Sequence, residues 1–224
     1  MTDLHGPHHS VRDSLVLAYE KLAGSGVPPK TITVRSVAGE AGCSPSAVSF
    51  HFTSLDGLLA VVGKRAYDRL NLARVRLLVD AIEASRPGPP PLRQVLEALV
   101  RPAIPTDQSE EAHHRILRHI GQKLAEGARS KPLVEIDRDM KPHMLVISAL
   151  QSHAPWLSRA EIGWRVHAVL GIRSHVLRRA ERARILCEGR IDLDDPQAVV
   201  AAIVDLAMPM FAPVDPQFGP SARF

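Results

Sequence analysis

The stretch GCSPSAVSFHF, residues 42–52, holds a helix stop, a helix start and two phenylalanines in eleven positions. Gly42 stands where a helix C-cap needs a left-handed residue. Ser44 is suited to cap the next helix, and Pro45 fits its first turn, where a missing N–H costs nothing. Counting 100° per residue from there puts Val48 and Phe52 on one face and Ser46, Ser49, Phe50 and Thr53 on the other. The apolar pair must anchor the helix. The other face joins small hydroxyls to an outward ring. Such a face suits a major groove, with hydroxyls for phosphates or base edges and a ring for a thymine methyl. Equally, Phe50 could pack under a loop above merely solvated serines.

Working outward, the pattern is helical throughout. Ser10 caps a helix with Asp13 in its first turn, and Val11, Leu15, Ala18, Tyr19 and Leu22 recur at helical spacing until Gly24. Thr33 caps a second helix carrying Val34, Val37, Ala38 and Ala41. Only Gly42 to Ser44 separate it from the third, too short a turn for an antiparallel return, so the two should cross steeply. Ser54 opens a fourth helix whose apolar stripe runs from Leu58 to about Ala84. RPGPPP, 86–91, is the sharpest break in the chain. Beyond it, helices are expected over 92–101, 110–128 and 132–154, the last kinked or divided at Pro142. Ser158 with Glu161 forms a capping box for a helix over 159–187, and Asp195-Pro196 starts a final one. No convincing strand or repeat emerges. The expected fold class is all-α.

Composition narrows function without deciding it. The 224 residues carry a formal charge of +4, and residues 1–76 hold nine Lys/Arg against six Asp/Glu. Any basic footprint therefore lies early. Cys43 and Cys187 form no CxxC motif, which suits a reduced compartment. The segment MTDLHGPHHS lacks an apolar signal region, so a cytoplasmic protein with no membrane partner is expected. There is no GxSxG, P-loop or dinucleotide fingerprint. The histidines (His8/His9, His113/His114 with His119, His167 with His175) lack the paired spacing and acidic or Cys partner of a tight site. No catalytic residue, metal or cofactor is expected.

The run ITVRSVAGEAGCSPSAVSFHFTSLDGLLAVV, residues 32–62, resembles the DNA-binding core of TetR-family transcriptional regulators. The likeness rests on the Thr-Val-Arg opening, Val-Ala-x-x-Ala-Gly, the Ser-capped turn, the aromatic-His-Phe triplet and the Leu-Leu helix. With the first helix it covers roughly residues 10–65. It implies a homodimer whose subunits each present the helix from Pro45 to Phe52 to half of a pseudo-palindromic double-stranded operator. The implied contact residues are Thr33, Arg35, Ser44, Pro45, Ser46, Ala47, Ser49, Phe50, His51 and Thr53. The implied domains are a flexible arm over 1–9, a helix-turn-helix over 10–53, a connecting helix over 54–85, a linker over 86–91, and a helical effector-binding and dimerisation domain over 92–224. The implied activity is that of a ligand-released repressor, not an enzyme. A helical adaptor on a helix-turn-helix scaffold, or a small helical enzyme, are the alternatives. Two departures stand out. Ser49 and Phe50 replace the family's frequent Tyr and a related branch's small-polar-then-Tyr pattern. Leu55 replaces its usual phosphate-contacting Lys, shifting phosphate contact toward Thr33, Arg35, Arg12 and Lys30.

HAPWLSRAEIGWRVHAVLG, residues 153–171, resembles a segment of a fatty-acid-sensing branch of that family. It suggests Trp164, His167 and Leu170 at the border of an apolar effector cavity, with an acyl chain as effector; a packed core Trp and a hydrogen-bonded His is the other reading. Two stripes suit dimerisation or intramolecular packing: Val166, Val169 and Val176 on one helix, and Val199, Ile203, Leu206 and Met210 on the other. Cys43 reads as a small packed hydrophobe. RRAERAR, 178–184, reads as a solvated helical face.

Overall fold

The computed structural model describes residues 10–213; the arm expected over 1–9 lies outside them. In chain order the helices are α1 (Val11–Gly24), α2 (Val34–Glu40), α3 (Ser46–Phe52), α4 (Leu55–Ala84), α5 (Leu92–Val100), α6 (Gln108–Ala125), α7 (Lys131–Arg138), α8 (Lys141–His153), α9 (Arg159–Arg178), α10 (Ala180–Leu186) and α11 (Pro196–Ala207). Among the described residues there is no strand. The caps explain most of the starts. Ser10, Thr33, Asp107, Ser158 and Asp195 each accept a backbone N–H in the first turn of the helix they precede. Ser158 and Glu161 close the expected capping box, and Thr33 closes another with Ser36.

Two expected helices are each split. The stretch 132–154 divides at Asp139 and Met140, with Pro142 in the first turn of α8, where it costs no hydrogen bond. The stretch 159–187 breaks at Arg179, whose φ of −128° and ψ of 37° leave the helix. No proline or glycine marks that break.

Two compact units result. The first takes the chain through Leu70 together with Pro105–Asp139, and the second takes Asn71–Ile104 with the chain from Met140 onward. The sequence places a boundary at the 86–91 linker, but contacts draw it elsewhere. RPGPPP ends α4 without parting the helices before it from all those after it. Ile116 and Ile120 of α6 and Leu133 and Ile136 of α7 lie in one apolar core with Leu15, Tyr19, Val37, Val48 and Leu58. At about 1.5–3 kcal/mol for each large apolar side chain buried, these four outweigh a proline-rich break. Gly63 admits that packing: a Cβ there would stand 2.2 Å from Ile120 Cδ1.

The second unit buries Val95, Leu96, Leu99, Val146, Leu150, Ile162, Val166, Val169, Val199, Ile203 and Phe211 around one core. Arg74 is also buried there, its guanidinium donating to the Asn71 side chain. Among the described residues no single helix is long and apolar enough to cross a membrane.

Candidate functional site

The turn that aims α3 is built as its residues dictate. Gly42 takes φ +67°. The Cys43 N–H reaches the Ala38 carbonyl at 3.0 Å and the Gly42 N–H reaches Gly39 at 3.2 Å, the paired bonds of a Schellman stop. Ser44 does not cap α3 through its hydroxyl. Pro45 is already helical, no side chain caps this terminus, and Ser44 Oγ instead meets Ser46 Oγ at 2.8 Å. The helix is held from below. Val48 is fully buried and Phe52 nearly so, both in the first unit's core.

A tight exit completes the seat. Thr53 ends α3 at φ 68°, and a Cβ on Gly57 would fall 2.0 Å from the Phe52 carbonyl oxygen. Only glycine at 57 lets α4 begin so close to the end of α3. Sequence reading missed this residue, although a glycine in a first helical turn is itself a signal of close approach.

The outward face is open. Phe50 is 84% exposed, and Ser44, Pro45, Ser46, Ser49 and Thr53 are exposed around it. Ala47 and His51 are half-buried, with the His51 ring edge-on to Phe50 at 4.9 Å. The packing of Phe50 under a loop is thereby excluded. Thr33 and Arg35 are exposed at the start of α2, but the Thr33 hydroxyl is engaged in its cap with Ser36. Arg35 and Lys30 have no ion pair among the described residues, whereas the Arg12 guanidinium lies over the Phe52 ring at 5.2 Å. Arg12 therefore buttresses the anchor of α3 by a cation–π contact. Leu55 packs against the first unit's core, so it replaces a possible phosphate contact with apolar burial.

The second unit places its predicted residues differently. Trp164 is 68% exposed, and His167 is exposed beside it with ring centroids 6.2 Å apart. Leu170 packs on the core. Trp164 and His167 share the outer face, whereas Leu170, six residues beyond Trp164 and about a third of a turn away, faces inward, so the trio does not line one surface. Nor is Trp164 a core residue. The dimerisation stripes are also corrected: Val166, Val169, Val199 and Ile203 are buried inside the chain's own core, and Val176 and Met210 pack against it. Of the seven, Leu206 stands free, at 64% exposure. Cys43 does pack beside the first unit's core as a small apolar residue. RRAERAR is mostly exposed and, with Ile185 and Leu186, borders an open groove of about 460 Å³.

A short helix seated by a Schellman turn, with a bare, small-residue face around one ring, defines a helix-turn-helix regulator. A sequence profile described as tetracyclin repressor-like, C-terminal domain, matches residues 97–208, half of the chain. The chain belongs to the TetR family of transcriptional regulators, which bind operator DNA, take small-molecule effectors and form dimers. Solved structures share the fold. A transcriptional regulator from Rhodococcus sp. Rha1 aligns at TM-score 0.62 and 18% identity over 90% of this chain and 96% of its own. The multidrug binding protein EbrR, complexed with imidazole, aligns at 0.60 and 15% over 93% and 99%. The TetR-family regulator PfmR from Thermus thermophilus aligns at 0.57 and 16% over 92% and 98%. No curated protein sequence matches it.

Proposed function

We propose that this regulator is a repressor whose two subunits insert α3 into successive major grooves of a pseudo-palindromic operator, half-sites about 34 Å apart. The observation that carries the reading is the exposed Phe50 ring among Ser46, Ser49 and Thr53. These small residues let α3 approach the base edges, and the ring meets a thymine methyl. Arg35 and Lys30 hold phosphates in place of the usual Lys, with Thr33, Ser44, Pro45, Ala47 and His51 lining the approach.

The dimer forms through the outer faces of α9 and α11. Ala160, Trp164, His167 and Gly171 recur there at helical spacing, and Leu206 stands out from α11. An exposed Trp of this kind is a natural interface anchor. An apolar small molecule, an acyl chain among the candidates, binds in the second unit and favours a dimer whose recognition helices no longer match the half-sites.

Fluorescence anisotropy with labelled DNA from upstream of the gene tests the reading. Saturable binding that weakens steeply with salt is expected, with release by an effector. No binding at low salt would mean that the helix-turn-helix is a scaffold for protein contacts.

A further inference from the structure

One partly buried cation in the second unit has no anion among the described residues. Arg173 lies on α9 seven residues beyond Val166 and eleven beyond Ile162, on the same inward stripe as those buried side chains. Its Nε is wholly buried and without a hydrogen-bond partner. Its one hydrogen bond among the described residues runs from an amino nitrogen to Ser174 Oγ at 3.3 Å. No carboxylate among those residues pairs with it.

Other arginines of this unit differ. Arg101 is paired with Glu97, Arg184 with Asp194 and Arg190 with Glu188 at 3.1–3.7 Å, and Arg93 with Asp205, all nearer the surface. Carboxylates thus stand beside these outer arginines, where water already screens the charge, and none among the described residues stands beside Arg173. Burial pulls the Arg173 guanidinium down to about 10, so it still carries its proton at neutral pH. A partly buried cation that cannot discharge is left in want of a counter-ion.

We propose that Arg173 is the anchoring subsite for an anionic effector, whose carboxylate or phosphate accepts the buried Nε–H and an amino N–H of the guanidinium. The proposal rests on the reading of the second unit as the effector-binding part and adds the chemical class of ligand. A planar guanidinium fits either oxyanion through two parallel hydrogen bonds, strong in a dry site. Ligand binding relieves the uncompensated charge, and so stabilises the form of the protein that encloses it.

The test uses the full chain as wild type, Arg173→Met and Arg173→Lys. Thermal melting without added ligand comes first: Arg173→Met is expected to melt higher than wild type, because it removes a lone, partly buried charge. A lower melting temperature would give Arg173 a structural role and overturn the proposal. Calorimetric and thermal-shift titrations then compare octanoate with octanamide, benzoate with benzamide, and octyl phosphate with octanol. Anions are expected to bind wild type at least tenfold more tightly than their neutral partners, Arg173→Met to lose that preference, and Arg173→Lys to keep part of it. The stronger of the carboxylate and phosphate arms identifies the headgroup. Equal binding of anion and neutral partner, or a panel with no Arg173-dependent member, overturns the proposal. DNA anisotropy is read separately: Arg173-dependent binding that leaves DNA affinity unchanged would keep this subsite and remove the effector switch instead.

Discussion

Phe50 and Trp164 are both large rings left in the open, at 84% and 68% exposure, yet the helices beneath them are built differently. Under Phe50, α3 has seven residues, no side-chain cap, and two anchors into a core. Its outer face is small and hydroxylated. Under Trp164, α9 has twenty residues, a full capping box, and an inner stripe buried along most of its length. Its outer face is small and weakly polar, with a second ring beside the first. On the proposed reading the first face admits DNA closely and the second meets a like surface. Each exposed ring is then a contact, and its neighbours distinguish the two.

If that contrast is right, damage to the seat of α3 should have the largest effect and should leave α9 alone. Gly57→Ala forces a Cβ into the Phe52 carbonyl oxygen, a backbone atom that cannot swing aside. A loss of about 3 kcal/mol, the upper part of the overpacking range, is expected. Melting should fall by roughly 6–12 °C at about 2–4 °C per kcal/mol. DNA binding should go with it while sedimentation still reports a dimer. A variant with wild-type melting would show that the two helices do not meet so tightly.

Trp164→Ala should reverse the pattern. Loss of an interface anchor costs about 2 kcal/mol or more in association, so sedimentation should show dissociation at concentrations where wild type is dimeric. Phe50→Ala comes next, at about 1–2 kcal/mol of operator affinity from a lost base contact. Its melting temperature should hold, because surface changes move stability by within about 0.5 kcal/mol. A Phe50 variant that dissociates the dimer, or a Trp164 variant that binds DNA less well per dimer, would exchange the two roles. Smaller still, Arg35→Ala should lower the slope of log affinity against log salt by about one unit. An unchanged slope would place the phosphate grip elsewhere.

The first unit is the more legible because local rules decide it. Gly42, Pro45, Val48 and Phe52 each answer to a cap or a period, so the seat and the open face of α3 can be read from their order. What fails depends on contacts distant in sequence. Nothing near Ile116 or Leu133 announces that α6 and α7 pack with α1 rather than with α8 and α9. Along α9 and α11, periodicity finds real apolar stripes, but a stripe does not say whether its partner belongs to the same chain. Here it does for Val166, Val169, Val199 and Ile203. Arg173 is legible in principle, since it interrupts that stripe at a heptad step from Val166. It escapes notice because an arginine in a long helix is ordinarily solvated.

Acid should separate the two regions last and least. His113 is buried in the first unit, and Arg69 Nη1 lies 2.8 Å from its Nε2. The guanidinium must donate, so that nitrogen accepts and the ring is neutral. Burial first, then the charge of Arg69, lowers the His113 pKa below its ordinary value; burial and then Lys123 lower that of His119. Both groups bind protons more readily in the unfolded chain than in the folded one. Their contribution to stability is therefore present above the unfolded pKa, near 6.5, and is lost as pH falls through the window below it. Melting followed from pH 7.5 to 5 should show a decline that His113→Gln makes shallower, since glutamine cannot take up the proton. The loss belongs to the unit beneath Phe50, so operator binding per dimer should fade with it before the dimer dissociates. Parallel pH curves for wild type and His113→Gln would show that acid acts elsewhere in the chain.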